Sequence, residues 1–122
     1  MTIEKALKRV DALVSNSNTD EEKIEWLSRV DAMITLHIMS GYEGEPVKPF
    51  SGYDENTPRD TELLAKEPYD ELYLSYLEAM IYKYRREYDA YNNAIEDFHA
   101  VYEAFGNDWH RNHMPLGGGS FR

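Results

Sequence analysis

Apolar residues recur along most of this chain with the period of a helix. Ile3, Ala6, Leu7, Val10, Leu13 and Val14 stand three or four positions apart, which makes one stripe on a 3.6-residue repeat. The spacing predicts a helix from Thr2 to Val14, with Thr2 as its cap and Glu4 where a first turn favours negative charge. Ser15-Asn16-Ser17-Asn18 ends it, because short polar side chains compete with the helical backbone for hydrogen bonds. Thr19-Asp20-Glu21-Glu22 then has the form of a capping box, in which threonine and glutamate satisfy each other's free backbone amides. A second helix is expected from there, carrying Ile24, Leu27, Val30, Ala32, Met33, Ile34, Leu36 and Ile38, with Trp26 beside them and Gly41 as its stop. Its apolar arc broadens toward the end, so the last turns are expected to be covered on more than one side. A short polar loop between two helices predicts antiparallel packing.

Between Gly41 and Pro68 the period is lost. Pro46, Pro49, Pro58 and Pro68 fall here, with Tyr42, Phe50 and Tyr53 among many carboxylates. A loop longer than about 12–15 residues inside a compact domain is commonly functional or disordered. The aromatics argue for order, supplied by a partner or a neighbouring copy, and Thr61-Glu62-Leu63-Leu64 suggests a short extended piece.

The helical period returns most strongly after Pro68, which suits a first helical position with Asp70 and Glu71 behind it. Tyr69, Leu72, Tyr73, Tyr76, Leu77, Met80, Ile81 and Tyr84 keep the spacing, and Tyr88, Tyr91, Ala94 (or Ile95), Phe98, Val101, Tyr102 and Phe105 resume it. One straight rod of about 45 residues would be roughly 65 Å long and could not fold back on its own domain. A bend is therefore expected between Tyr84 and Glu87, and an end near Gly106-Asn107. The pattern as a whole predicts an all-α fold. It is a small bundle of about four helices, two N-terminal and two longer C-terminal, with an irregular excursion over 42–67. Residues 1–115 form one domain, and Pro115 leads into a flexible tail over 116–122.

Composition narrows the function classes. The 122 residues suffice for one modest core. The net charge of −10 opposes the counterion release that drives nucleic-acid binding. Cysteine is absent, which removes disulfides, thiolate metal sites and a cysteine nucleophile. No stretch nears the roughly 20 apolar residues that cross a bilayer, nor is there a signal-peptide apolar core, so no membrane partner is expected.

Candidate chemistry is sparse. Glu96-x-x-His99 has the spacing of a carboxylate-bridged metal motif, but a di-iron bundle needs two such motifs and two further glutamates. His110-x-x-His113 has no third ligand in the sequence nearby, and two histidines near a helix end suit capping. Glu21, Glu22 and Glu25 resemble the first half of the magnesium site of all-α nucleotide pyrophosphohydrolases. The second acidic pair is missing, because neither Glu78 nor Glu87 is followed by an acid at the required spacing. Gly117-Gly118-Gly119 follows no strand and is no phosphate loop. No catalytic residue, metal or cofactor is expected. Tyr69, Tyr73, Tyr76, Tyr84, Tyr88, Tyr91 and Tyr102 exceed what one small core requires, and tyrosine is enriched at protein interfaces. A base-stacking platform would call for a basic groove, and Lys83 with Arg85-Arg86 is too small a cluster.

Four stretches carry a resemblance. They are Asp60-Thr61-Glu62-Leu63-Leu64, Pro68-Tyr69-Asp70-Glu71-Leu72-Tyr73 with Tyr76-Leu77-Glu78-Ala79-Met80-Ile81, Glu87-Tyr88-Asp89-Ala90-Tyr91-Asn92-Asn93, and Trp109-His110-Arg111-Asn112-His113-Met114-Pro115. Together they resemble the small head–tail connector (neck adaptor) proteins of tailed bacteriophages, over residues 60 to 115. The chain departs from the pattern at Arg85-Arg86, where a glycine or similar breaker would be expected. The resemblance implies a non-enzymatic protein made in the host cytoplasm and built into the virion at the head–tail junction. It implies a closed ring of about twelve copies beneath the portal protein. Such a ring extends the DNA channel and docks a downstream neck or tail protein, with DNA only passing through. Ring contacts are heterologous, so the 42–68 excursion is expected to reach the next subunit through Tyr42, Phe50 and Tyr53, with Tyr84 and Tyr88 also at the joint. Met114, Leu116, Phe121 and Arg122 are the expected portal anchors. The competing readings are an acidic inhibitor that imitates DNA charge and a magnesium-dependent nucleotide hydrolase.

Overall fold

A computed structural model describes residues 1–45 and 50–116. Its element order is α1 (Ile3–Leu13), α2 (Asp20–Ile34), a π-helical turn (Thr35–Met39), α3 (Glu71–Tyr84) and α4 (Tyr88–Arg111). The four helices form the expected all-α bundle. The expected caps are present: Thr2 Oγ1 accepts from the Lys5 amide at 3.1 Å. Thr19 and Glu22 exchange both capping-box bonds.

The core is centred on α3. Leu72, Tyr73, Leu74, Tyr76, Leu77, Ala79, Met80 and Ile81 are all buried, so this helix is apolar around most of its circumference, as a helix covered by several neighbours must be. It packs on α1, α2 and α4. Helix α4 buries a single stripe, Ala94, Phe98, Phe105, Gly106 and Trp109. Gly106 does not end α4, contrary to the expected stop, because the helix runs on to Arg111. Its missing side chain instead admits Ile38, whose Cδ1 lies 3.5 Å from where a Cβ would stand.

Helix α3 ends in a Schellman motif. The Glu87 amide donates to Tyr82 O at 2.9 Å and the Arg86 amide to Lys83 O at 3.1 Å, with Arg86 itself at φ 60° in the position that usually holds glycine. The expected bend is thus present without its glycine.

Three further expectations change. Helix α2 does not continue regularly to Gly41. It widens into the π turn, which puts Ile34, Ile38 and Met39 inside and leaves Leu36 67 % exposed, so the last turns are covered on one side only. Pro68 is not the first residue of α3. It lies in a turn closed by the Tyr69 amide on Lys66 O at 2.8 Å, the Glu67–Pro68 peptide is cis, and α3 begins at Glu71. The excursion packs on its own chain rather than awaiting a partner for order. Thr2 and Glu62 form an antiparallel bridge, the Ile3 amide donates to Thr61 O at 3.0 Å and the Leu63 amide to Met1 O at 2.9 Å. Leu63 and Ala65 are fully buried. The expected extended piece at Thr61 to Leu64 is therefore the bridge that closes the core over α1.

Candidate functional site

The most constrained polar group is Asp31, on the inward face of α2 with no solvent exposure. A buried carboxylate is tolerated only when hydrogen-bonded, and three donors converge on it. Tyr73 Oη donates to Oδ1 at 2.5 Å, Tyr53 Oη to Oδ2 at 2.5 Å and the Leu64 amide to Oδ2 at 3.1 Å. Tyr73 Oη in turn accepts from the Ala65 amide at 2.7 Å. Burial raises the Asp31 carboxyl above its ordinary value against the opposing pull of these donors. Burial and the nearby carboxylate push both phenols well above the usual tyrosine range, so both remain protonated donors. Beside this node Gly52, at φ +92°, would place a Cβ 3.2 Å from Ser28 Oγ, and Ser28 Oγ accepts from the Tyr53 amide at 2.9 Å. The node pins the middle of the excursion at Tyr53 and its C-terminal part at Leu64 and Ala65 to α2 and α3, and both oxygens of the Asp31 carboxylate are engaged within the chain.

A second buried polar contact joins Lys23 to Asp11 at 2.6 Å, with the lysine side chain 3 % and the aspartate 47 % exposed. Partial burial raises the Asp11 carboxyl, but hydrogen bonds from Lys23 and Asn16 and the Lys23 charge outweigh it, so the group ends below its ordinary range. This pair staples α1 to α2.

The C-terminal end of α4 is held by stacked rings. Tyr42 stacks on His110 with centroids 4.4 Å apart, and Trp109 on His113 at 3.7 Å. His110 Nε2 lies 2.7 Å from Ile38 O, and His113 Nδ1 lies 2.7 Å from Trp109 O. A carbonyl only accepts, so each of these ring nitrogens donates. Tyr42 and Pro115 form an antiparallel bridge, with the Leu116 amide on Gly41 O at 2.7 Å. Met114 and Leu116, expected as portal anchors, stand 62 % and 56 % exposed on this rim. Phe121 and Arg122, and the expected flexibility of the tail beyond Leu116, lie outside the described residues.

The expected interface residues separate into two groups. Tyr42 and Tyr53 are half-buried and engaged within the chain, and Phe50 packs edge-on against Tyr53 at 5.0 Å, so these three serve first to fasten the excursion and the C-terminal rim. Tyr84 and Tyr88 are 66 % and 58 % exposed on either side of the α3–α4 elbow. Tyr84 forms one lip of an open cleft of about 390 Å³ lined by Trp26, Arg29, Met80 and Lys83. On the other flank of α2 a smaller cleft of about 160 Å³ is lined by Glu21, Glu25, Tyr53, Asp54, Glu55 and Asn56. The Glu55 charge, followed by those of Glu25 and Glu22, raises the Glu21 carboxyl above its ordinary value, a sign of uncompensated like charge.

Among the described residues no trio of histidine, aspartate and glutamate converges as a metal site. Glu78 and Glu87 do not complete an acidic set with Glu21, Glu22 and Glu25. Glu78 sits near Asp97 and Glu71, its carboxyl raised by burial first and by those charges second. Glu87 is bonded to Arg85 Nε at 2.6 Å. No helix among the described residues is long and apolar enough to cross a membrane.

Asp31 and Lys23 were not singled out by sequence patterning, although a signal existed. Asp31 stands seven residues after Ile24, four after Leu27 and three before Ile34, so an acid occupies the middle of the inward stripe. No known protein family, curated protein or solved structure matches the chain.

Proposed function

We propose that this chain is a non-enzymatic structural protein of the neck of a tailed bacteriophage. In this reading it forms a ring of repeated copies under the portal, extends the DNA channel and joins head to tail. The single observation that carries the assembly part is the hydrogen-bonded α3–α4 elbow. It presents Tyr84 and Tyr88 to solvent, Tyr84 on the lip of a cleft with Trp26 and Met80 that the described segments leave open. Large exposed aromatics around such a cleft are typical of surfaces that close on another protein. The buried polar groups support a scaffold role, because Asp31, Tyr73 and Lys23 bond within the chain, Lys23 to the half-exposed Asp11, and fix the helices against one another. The phage setting rests on the resemblance over residues 60 to 115. An acidic lumen would let DNA slide without binding, since like charge repels phosphate.

Two genetic lesions test this reading. Loss of the gene is expected to give DNA-filled heads and free tails that do not join. Deletion of residues 117–122 spares the Leu116–Gly41 hydrogen bond and is expected to preserve the helical spectrum while reducing tail joining. Normal joining without the gene would refute the neck role, and normal joining after the deletion would refute docking through the tail. A second reading, an inhibitor imitating DNA charge, draws on the Glu21, Glu25, Asp54 and Glu55 cleft. It requires a monomer or dimer that blocks a DNA-binding enzyme.

A further inference from the structure

The two clefts on either side of α2 differ in charge as well as in place. Glu21 and Glu25 line one cleft and Trp26 and Arg29 the other, so the two open about 90° apart around the helix, with the Glu25–Arg29 contact as the ridge between them. The cleft at the α2–α3 seam is floored by Trp26 and Met80 and rimmed by Arg29 and Lys83. Trp26 and Tyr84 set their rings 6.3 Å apart across it. Arg29 has a 3.5 Å contact with Glu25. Lys83 has no carboxylate within ion-pair distance among the described residues and lies 6.0 Å from the Tyr91 ring. The other cleft is lined by four carboxylates and no cation, and the turn that closes it, Asp54-Glu55-Asn56, is exposed. This turn is shaped by its own bonds, with the Asn56 amide on Asp54 Oδ1 at 2.8 Å and the Asp54 amide on Thr57 Oγ1 at 2.9 Å. A fixed acidic turn on one flank and, on the other, an aromatic cleft whose Lys83 ammonium meets no carboxylate among the described residues are complementary in charge and point in different directions.

The geometry points to a head-to-tail contact in which the Asp54–Asn56 turn of one copy enters the Trp26–Met80–Tyr84 cleft of the next. There Lys83 and Arg29 meet Asp54 and Glu55, and the apolar floor is covered. This inference rests on the self-assembly part of the proposed function and names its surface. A contact between two different faces propagates around a ring, and its charges set register more than strength.

The absence of cysteine from the chain makes the test direct. Single variants N56C, Y84C and K8C leave Asp54, Glu55, Arg29 and Lys83 in place, and mixed pairs can form a heterodimeric disulfide only between copies. At about 1 mM protein under mild oxidant, N56C with Y84C is expected to cross-link at least about tenfold faster than N56C with K8C. About 0.5 M salt should reduce that advantage. Equal rates for the two pairs would overturn the inference. Light scattering on the wild-type chain separates the two levels of the account. Mass rising with concentration alongside equal rates means the copies meet through another surface, so this contact fails while self-assembly stands. A constant monomer mass with equal rates removes this contact and leaves assembly to be judged on particles. Circular dichroism of each variant guards against unfolding, and if a cysteine variant fails to fold Lys83→Glu replaces it: a mass below wild type at equal concentration is expected by light scattering, and an unchanged mass overturns the inference.

Discussion

Replacing Tyr73 by phenylalanine isolates the buried node. The substitution keeps the ring, so no cavity forms, but it removes the hydroxyl that donates to Asp31 at 2.5 Å and accepts from the Ala65 amide at 2.7 Å. A hydrogen bond to a charged group contributes about 1.5–3 kcal/mol, and a buried donor left unsatisfied costs about 1–3 kcal/mol. Both apply, because Ala65 is fully buried, and the expected loss is about 3–5 kcal/mol. An unfolding entropy near 2.1 cal/mol/K per residue over 122 residues converts 1 kcal/mol to about 4 °C, so Tm should fall by roughly 12–20 °C. Tyr53→Phe removes an equally short bond at a site that water can reach, and about 1–2 kcal/mol is expected. Urea titration followed by circular dichroism measures both. Asp31→Asn combined with Tyr73→Phe should cost less than the sum of the single changes by about 1 kcal/mol or more, since the two residues share one bond.

Acid adds an independent check on the same node. The folded state raises the Asp31 carboxyl, so it binds that proton more readily than the unfolded chain does. The Asp31 contribution therefore grows as pH falls toward the ordinary carboxylate value and is lost as pH rises through the folded one. Asp31→Asn should remove that slope. A Tm change under about 4 °C for Tyr73→Phe, or equal effects for Tyr53→Phe and Tyr73→Phe, would refute the view that the node holds the excursion.

The architecture was legible because it depends on periodicity and caps. The stripe of Ile3, Ala6, Leu7 and Val10, the Thr19–Glu22 box and the break at Arg85-Arg86 are local signals, and each produced the expected element. What escaped depends on long-range pairing. Asp31 is read from sequence as one more polar residue, and only the return of Tyr53, Leu64 and Tyr73 to α2 gives it a role. The excursion reads as needing a neighbour because it is long and irregular with aromatics that call for cover, and no local signal shows that Leu63 and Ala65 are buried within the chain itself. Gly106 signals a helix end as readily as a close approach, and the Ile38 contact decides between them. The site was legible only in part. Tyr84 and Tyr88 stand exposed at the elbow, whereas the stacking of Tyr42 on His110 and the engagement of Tyr53 depend on partners distant in sequence.

Four further substitutions probe three separate links. Asp11→Ala strands the buried Lys23 ammonium and should cost roughly 1–3 kcal/mol, discounted because Asp11 is half exposed, whereas Lys23→Met should lie within about 1 kcal/mol of wild type; the reverse order by urea titration would contradict the staple. Because Asp11 sits below its ordinary range, its contribution is present above the unfolded value and lost as pH falls through the folded one. Arg86→Gly removes left-handed strain at φ 60° and should stabilise by about 0.5–1 kcal/mol. Gly106→Ala should be neutral or stabilising by up to about 1 kcal/mol by thermal melt, since its Cβ meets Ile38 at ordinary contact distance and alanine favours a helix interior.

The central claim is that this chain is built to repeat around a channel. The most direct measurement is a density map of the neck of an intact particle at a resolution that traces helices. The account predicts a closed ring of copies of this four-helix bundle beneath the portal, with the α3–α4 elbow of each copy at a joint. A fully traced neck with no density for this polypeptide, or copies present without touching one another, would contradict it.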